Sequence, residues 1–104
     1  MVSEILAAAG INTRRSRFIK PPAGTYAVFF DNIDAQGADN MAPRIFKHSV
    51  TVELYEPKPD NAAVSALEAQ LGIYGVHWTK QDRLWIQSEQ MYQTVYEFTY
   101  TTKA

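Results

Sequence analysis

The sequence predicts an α+β fold: a four-stranded antiparallel or mixed sheet with two short helices packed mainly on one face, in the order α-β-β-α-β-β. Three observations carry this. Residues 44–56 and 90–101 alternate apolar and polar side chains with the period of a half-buried strand. Two short stretches, near 3–10 and 60–72, carry apolar residues at helical spacing and each ends in Gly-Ile. Pro57 and Pro59 separate the longest strand from the second helix. The 104 residues fit one domain, 1–104, with 46% apolar content. A chain of this size hides about two-thirds of its unfolded surface.

The first helix is capped by Ser3, shares a face between Ile5, Leu6 and Ala9, and closes at Gly10. Two turns do not persist alone, so it must dock on the body. Residues 12–24 read as a loop stiffened at its exit by Pro21-Pro22, and Thr25 to Phe30 reads as a strand. Residues 31–43 read as a long loop, without periodicity and with Gly37, Asp39-Asn40 and Pro43. Loops of that length are uncommon unless functional or disordered. In the 44–56 strand, Phe46, His48, Val50, Val52 and Leu54 form one face, and Lys47, Ser49, Thr51, Glu53 and Tyr55 the other. The second helix starts from an Asp60 cap and buries Val64, Leu67 and Leu71, with Gly72 as its terminator. Two strands follow, about 76–88, with a kink or bulge at Gln81-Asp82, and 90–101. In the last strand Tyr92, Thr94, Tyr96, Phe98 and Tyr100 share the face expected to meet the helices.

Two helices cover one face of such a sheet. The opposite face is expected to carry Phe29, Tyr55, Trp85, Met91 and Val95, enough for a partner-binding patch if they cluster. Charge is also unevenly placed. Arg14, Arg15, Arg17 and Lys20 stand against Glu4 in the first thirty residues, and Asp31, Asp34 and Asp39 stand without a base in 31–43. Solvated loops account for such a pattern by themselves. The functional reading is a head-to-tail contact between one copy's basic segment and its neighbour's acidic loop, which favours orientation and on-rate more than affinity.

The residues do not compose an active site, and the expectation is no enzyme and no cofactor. Cysteine is absent, which removes disulfides, thiolate catalysis and cysteine-ligated metals. His48 and His77 are isolated, and His48 reads as a core-edge histidine with a hydrogen-bond partner. Nucleophile elbows and glycine-rich phosphate loops are missing, and Asp34 to Asp39 lacks the ligand density of a calcium loop. Arg14-Arg15-Ser16-Arg17 is one short basic cluster on a chain of net charge −1, so DNA is expected only as a passing contact. No apolar run approaches the ~20 residues of a membrane span, and no signal peptide or membrane partner is expected.

An ordered set of segments resembles the tail-terminator, or tail-completion, proteins of long-tailed phages. Pro21-Pro22 leads into Tyr26-Ala27-Val28-Phe29-Phe30, then Gly37-Ala38-Asp39-Asn40, then His48 to Tyr55, then Pro57-Lys58-Pro59-Asp60 and the helix. Trp85 to Phe98 closes the set and is its most specific stretch. The resemblance implies an α+β domain that forms a ring, usually hexameric, in the tail–neck region of a virion after assembly in the host cytoplasm. It implies three partners: the protein itself, the tail-tube protein and the head connector or stopper. It also implies that the loop Asp31 to Pro43 is mobile in the free subunit and is used in ring or tube contacts. The contact residues to be located are therefore Arg14, Arg15, Arg17, Lys20, Phe29, Asp31, Asp34, Gln36, Asp39, Asn40, Tyr55 and Trp85. Another head–tail adaptor, a minor tail protein or a non-phage binding module are the competing expectations.

Overall fold

One strand organises the molecule. In the computed structural model, which describes residues 1–15, 24–36 and 45–103 (backbone only for Arg15, Gln36 and Lys103), β3 (Ile45–Glu56) lies between β2 (Tyr26–Gln36) and β6 (Met91–Lys103). Every residue of β3 is registered antiparallel against β6, from Ile45↔Lys103 to Glu56↔Tyr92, and Ile45 to Tyr55 is registered against β2. Beyond β2 lies β1 (Asn12–Arg15), parallel to it; beyond β6 lie β4 (Trp78–Lys80) and β5 (Leu84–Ile86), both antiparallel. With α1 (Val2–Ala8) and α2 (Asn61–Ile73) the order is α-β-β-β-α-β-β-β in a six-stranded mixed sheet. Six strands replace the expected four for two reasons. Asn12–Arg15 is too short and polar to read as a strand, yet as an edge strand it needs only one inward residue, Thr13. The 76–88 stretch is divided at Gln81–Arg83, the break anticipated there.

The alternation of β3 decides the layers. His48, Val50, Val52, Leu54 and Glu56 are buried on one face, together with Thr94, Tyr96 and Phe98 of β6. Both helices lie on this face: Val2, Ile5 and Leu6 of α1 and Leu67 and Leu71 of α2 join the same core cluster. Each fully buried leucine contributes about 1.5–3 kcal/mol relative to exposure. That is how a seven-residue helix persists.

Both helices end in the same hydrogen-bonded motif. Gly10 (φ +75°) and Ile11 donate N–H groups to the carbonyls of Ala7 and Leu6 at 3.0 and 3.1 Å; Gly75 (φ +71°) and Val76 donate to Gly72 and Leu71 at 3.1 and 3.3 Å. The left-handed residue is glycine in each case, and the apolar residue after it folds back on the last turn. The expected second terminator, Gly72-Ile73, is displaced by three residues to Gly75-Val76, and Ile73 is left 73% exposed. Gly72 has ordinary helical neighbours, so the helix runs through it to Ile73. At the other ends, Asp60 caps α2 as expected, accepting from Ala63 N–H at 3.0 Å, whereas Ser3 lies within α1 and contacts Glu4.

A buried carboxylate fastens the sheet to α2. Glu56 is 0% exposed. Its Oε2 accepts from Asp60 N–H at 2.6 Å, and Arg83 reaches both its oxygens at 3.3 Å. Asp60 in turn accepts from the Thr25 hydroxyl at 2.7 Å. Hydrogen bonds from Thr25 and the Ala63 N–H hold the Asp60 carboxyl below its ordinary pKa. One chain of contacts thus joins the end of β3, the start of α2, the entry to β2 and the β4–β5 break. Removing one partner of a buried ion pair costs more than the pair itself contributes. Arg83→Ala is expected to lower unfolding free energy by about 3 kcal/mol. Adding Glu56→Gln should recover part of the loss, because glutamine still accepts from Asp60 and carries no charge. Urea unfolding of the single and double variants measures both.

Candidate assembly surface

The three long strands outrun the helices. Residues 31–36 of β2, 45–49 of β3 and 99–103 of β6 form a three-stranded arm, and the molecule measures 50 × 28 × 22 Å. The expected 31–43 loop is therefore corrected in its first half: Asp31 to Gln36 continues β2, registered from Asp31↔Val50 to Gln36↔Ile45. Its polar composition hid the strand, but on a sheet solvated on both sides polar residues satisfy the pleat as well as apolar ones. Asp39 and Asn40, with the rest of 37–44, lie outside the described residues, as do Arg17, Lys20 and Pro21-Pro22.

The arm has its own polar brace. His48, on the middle strand, reaches both neighbours: Nδ1 lies 3.0 Å from each carboxylate oxygen of Asp31 on β2, and Nε2 lies 3.0 Å from the Thr102 hydroxyl on β6. Tyr100 stacks on the imidazole with centroids 4.3 Å apart and planes 10° from parallel. The carboxylate fixes the proton on Nδ1, so in the neutral ring Nε2 accepts from Thr102. The sequence reading of His48 as a core-edge histidine with a partner is met, and the partner is Asp31.

A carboxylate, an imidazole and a hydroxyl in line outline the parts of a nucleophilic triad. Here Thr102 stands on β6, whose N–H groups lie in the sheet plane, away from the side-chain direction, so among the described residues its own strand turns no donor pair toward the hydroxyl as an oxyanion hole would. Tying three strands together is what this geometry does. Among the described residues no group of three or more His, Asp or Glu is placed to hold a metal, and no helix is long and apolar enough to cross a membrane.

The other expected contact residues divide between faces. Tyr55 is on the face away from the helices, as expected, stacked on Tyr26 at 5.1 Å; it donates to Glu53 at 3.0 Å and accepts from Gln93 at 2.9 Å. Burial pushes its phenol up to about 12, with Gln93 opposing and Glu53 reinforcing the shift. Phe29 is not on that face. It registers with Val52 and packs on the core cluster, while its neighbours Tyr26 and Val28 are buried on the opposite side. The run Tyr-Ala-Val-Phe-Phe is apolar at both parities, so composition alone left its orientation open. Trp85 is also on the helix-bearing side. It registers with Tyr92, meets that ring edge-on at 4.9 Å, donates to Gln87 at 2.7 Å, and stays 43% exposed at the end of the sheet.

The described parts of the two charged segments do not occupy opposite sides. Arg14 and Arg15 stand on β1, level with Val28 and Phe29, and the exposed Asp34 stands further along β2. β1 and the outer part of β2 belong to one lateral edge of the sheet, so both signs of charge lie along the same edge. Asp31 is engaged by His48. Features absent from the sequence reading are the exposed apolar residues of the arm and hairpin, Ile33, Ile45 and Leu84. Ile45 and Leu84 fall on the polar parity of their strands; Ile33 lies inside the stretch read as a loop.

No protein-family model matches this chain, and no curated protein matches it. Solved structures do. A chain of the virion of a native gene transfer agent particle superposes with a TM-score of 0.62 over 96% of this chain and 84% of its own, at 13% identity. A second solved structure superposes with a TM-score of 0.61 over 98% of this chain and 86% of its own, at 12% identity. At these identities the likeness establishes the fold, over almost the whole chain and most of each counterpart.

Two variants probe this surface. His48→Ala leaves Asp31 half-buried beside an empty site and is expected to cost about 2–3 kcal/mol; amide exchange should accelerate across 31–36 and 99–103 while 50–56 stays protected. Trp85→Ala, at a half-exposed position, is expected to cost only about 1 kcal/mol, so any larger fall in self-association, read by light scattering, reports a contact role.

Proposed function

We propose that this chain is a virion structural protein of a phage or phage-like particle, and within that class a tail terminator: one domain, 1–104, forming a ring at the end of the tail tube and joining tail to head connector. The observation that carries the reading is the structural likeness, over 96% of this chain, to a gene transfer agent virion chain. The ordered segments from Pro21-Pro22 to Phe98 support the narrower role, because their order along the chain resembles that of tail-completion proteins. The surface agrees in kind: an arm with exposed Ile33 and Ile45 and a polar brace tying its strands suits a part that acts by assembling.

In this reading the arm of β2, β3 and β6 makes the contacts between subunits. Residues 37–43, with Asp39 and Asn40, take part in contacts with the tube, and the basic run Arg14 to Lys20 lies against a neighbouring chain. DNA passes through the assembled ring without specific recognition, and the protein needs no cofactor. The ring is a hexamer.

Size-exclusion chromatography with light scattering, followed by negative-stain microscopy with and without tail tubes, tests this. Rings of about six subunits, or tubes capped at one end, are expected. A strict monomer that never associates with tube protein would overturn it. Asp34→Lys should slow association several-fold while leaving the melting temperature unchanged, because reversing an exposed interface charge acts mainly on encounter.

A further inference from the structure

The two lateral sides of the sheet carry opposite charge in nearly the same row. β1 ends the strand order on one side, and β4 and β5 flank β6 on the other. Arg14 of β1 is level with Val28, Val28 with Glu53, and Glu53 with Val95. On the far side Gln81 donates its N–H to the Val95 carbonyl at 2.9 Å, so Asp82 stands one residue from the Arg14 row. Arg14 and Asp82 are both exposed. Neither enters a salt bridge or a side-chain hydrogen bond among the described residues.

Bases flank Asp82 in sequence, yet both are committed within the subunit. Lys80 reaches Glu68 at 2.7 Å and Arg83 reaches Glu56 at 3.3 Å. The carboxylates on that side are not so committed. Asp82 has no basic partner, and the exposed Glu97 receives only the Gln81 amide at 3.3 Å. Each side also offers apolar area on the face away from the helices. Phe30, 38% exposed, follows Val28 on that face, and Leu84, 56% exposed, registers with Gln93 two residues past Asp82.

We propose that the β1 side of one copy docks through its side chains against the β4–β5 side of the next, with Arg14 meeting Asp82 and Glu97. The inference rests on the ring reading and names the surface that the basic side of each subunit meets. Charge selects the occupant and its orientation. Twofold docking would set Arg14 against a second Arg14, or Asp82 and Glu97 against their own duplicates, and like charges set against each other penalise a contact. Bringing unlike sides together gives a heterologous contact, the kind whose repetition closes into rings. Asp34 lies on the same side as Arg14, so in this arrangement the base meets Asp82 and not the acidic stretch of β2. The contact lies in the body, at the level of Val28 and Val95, below the arm.

An exchange of charge tests this. Arg14→Glu and Asp82→Arg, made singly, should each weaken assembly about ten-fold, read by light scattering and by the fraction of tubes capped. The melting temperature should not change, because both positions are exposed. Mixing the two single variants in equal amounts should restore assembly to within about two-fold of the parent. Alternating copies would then join a reversed pair at one contact and the native pair at the next. The double variant should recover likewise. If the parent forms rings and both single variants assemble as it does, the side-to-side contact is overturned and the ring reading stands. Weakened single variants that neither the mixture nor the double variant rescues would show that these residues do not face one another, and would overturn the contact as well. A parent that gives neither rings nor capped tubes at the same concentration removes both readings.

Discussion

Everything in this fold hangs on β3 being paired along its full length on both sides. Once Ile45–Glu56 is registered against β6 and β2, the period of two is no longer free. Val50, Val52 and Leu54 must face the helices, and their neighbours across the ladders, Phe98, Tyr96 and Thr94 on one side and Asp31, Phe29 and Ala27 on the other, must face them too. The helices follow from that surface. Neither α1 nor α2 has the length to persist in water, and each is held by residues that complete a core the sheet has already laid out.

The same strand carries two polar fastenings at different heights. Near its end Glu56 is fully enclosed and answered by Arg83 and the Asp60 N–H. Near its beginning His48 is answered by Asp31 and Thr102. Both ties cross from the middle strand to other elements where apolar burial thins out. Between them lies the ordinary hydrophobic core. The arm is thus not held by burial alone; where apolar cover thins, a side-chain link across three strands keeps them in one register.

Strong alternation made the middle of this architecture readable from sequence. The two faces of 44–56, the helix-facing tyrosines of 92–100, the Asp60 cap and the Gly10-Ile11 terminator all rest on local rules, and local rules sufficed. Reading failed where the deciding partner was distant. Asp31 to Gln36 is a strand because 45–50 lies beside it, and its own composition argues for a loop. Gly72 and Gly75 are both plausible terminators, and the choice falls to where Leu71 and Val76 meet. Phe29 sits in a run apolar at both parities, so its face depends on the register with Val52. Trp85 follows a break in the chain that resets parity, which moved it from the expected face to the other. The site suffered most, since contact residues are by nature those whose neighbours belong to other strands or other chains.

The arm also has a mechanical character. Its hydrogen bonds lie across the strands, so a pull along its length loads the ladders on both sides of β3 in shear, with many bonds bearing force at once. A pull across its width would instead peel one strand at a time. A part built this way resists tension along its long axis far better than separation of its edges, and His48, bonded to both flanking strands, sits where peeling would have to start to spread into the body.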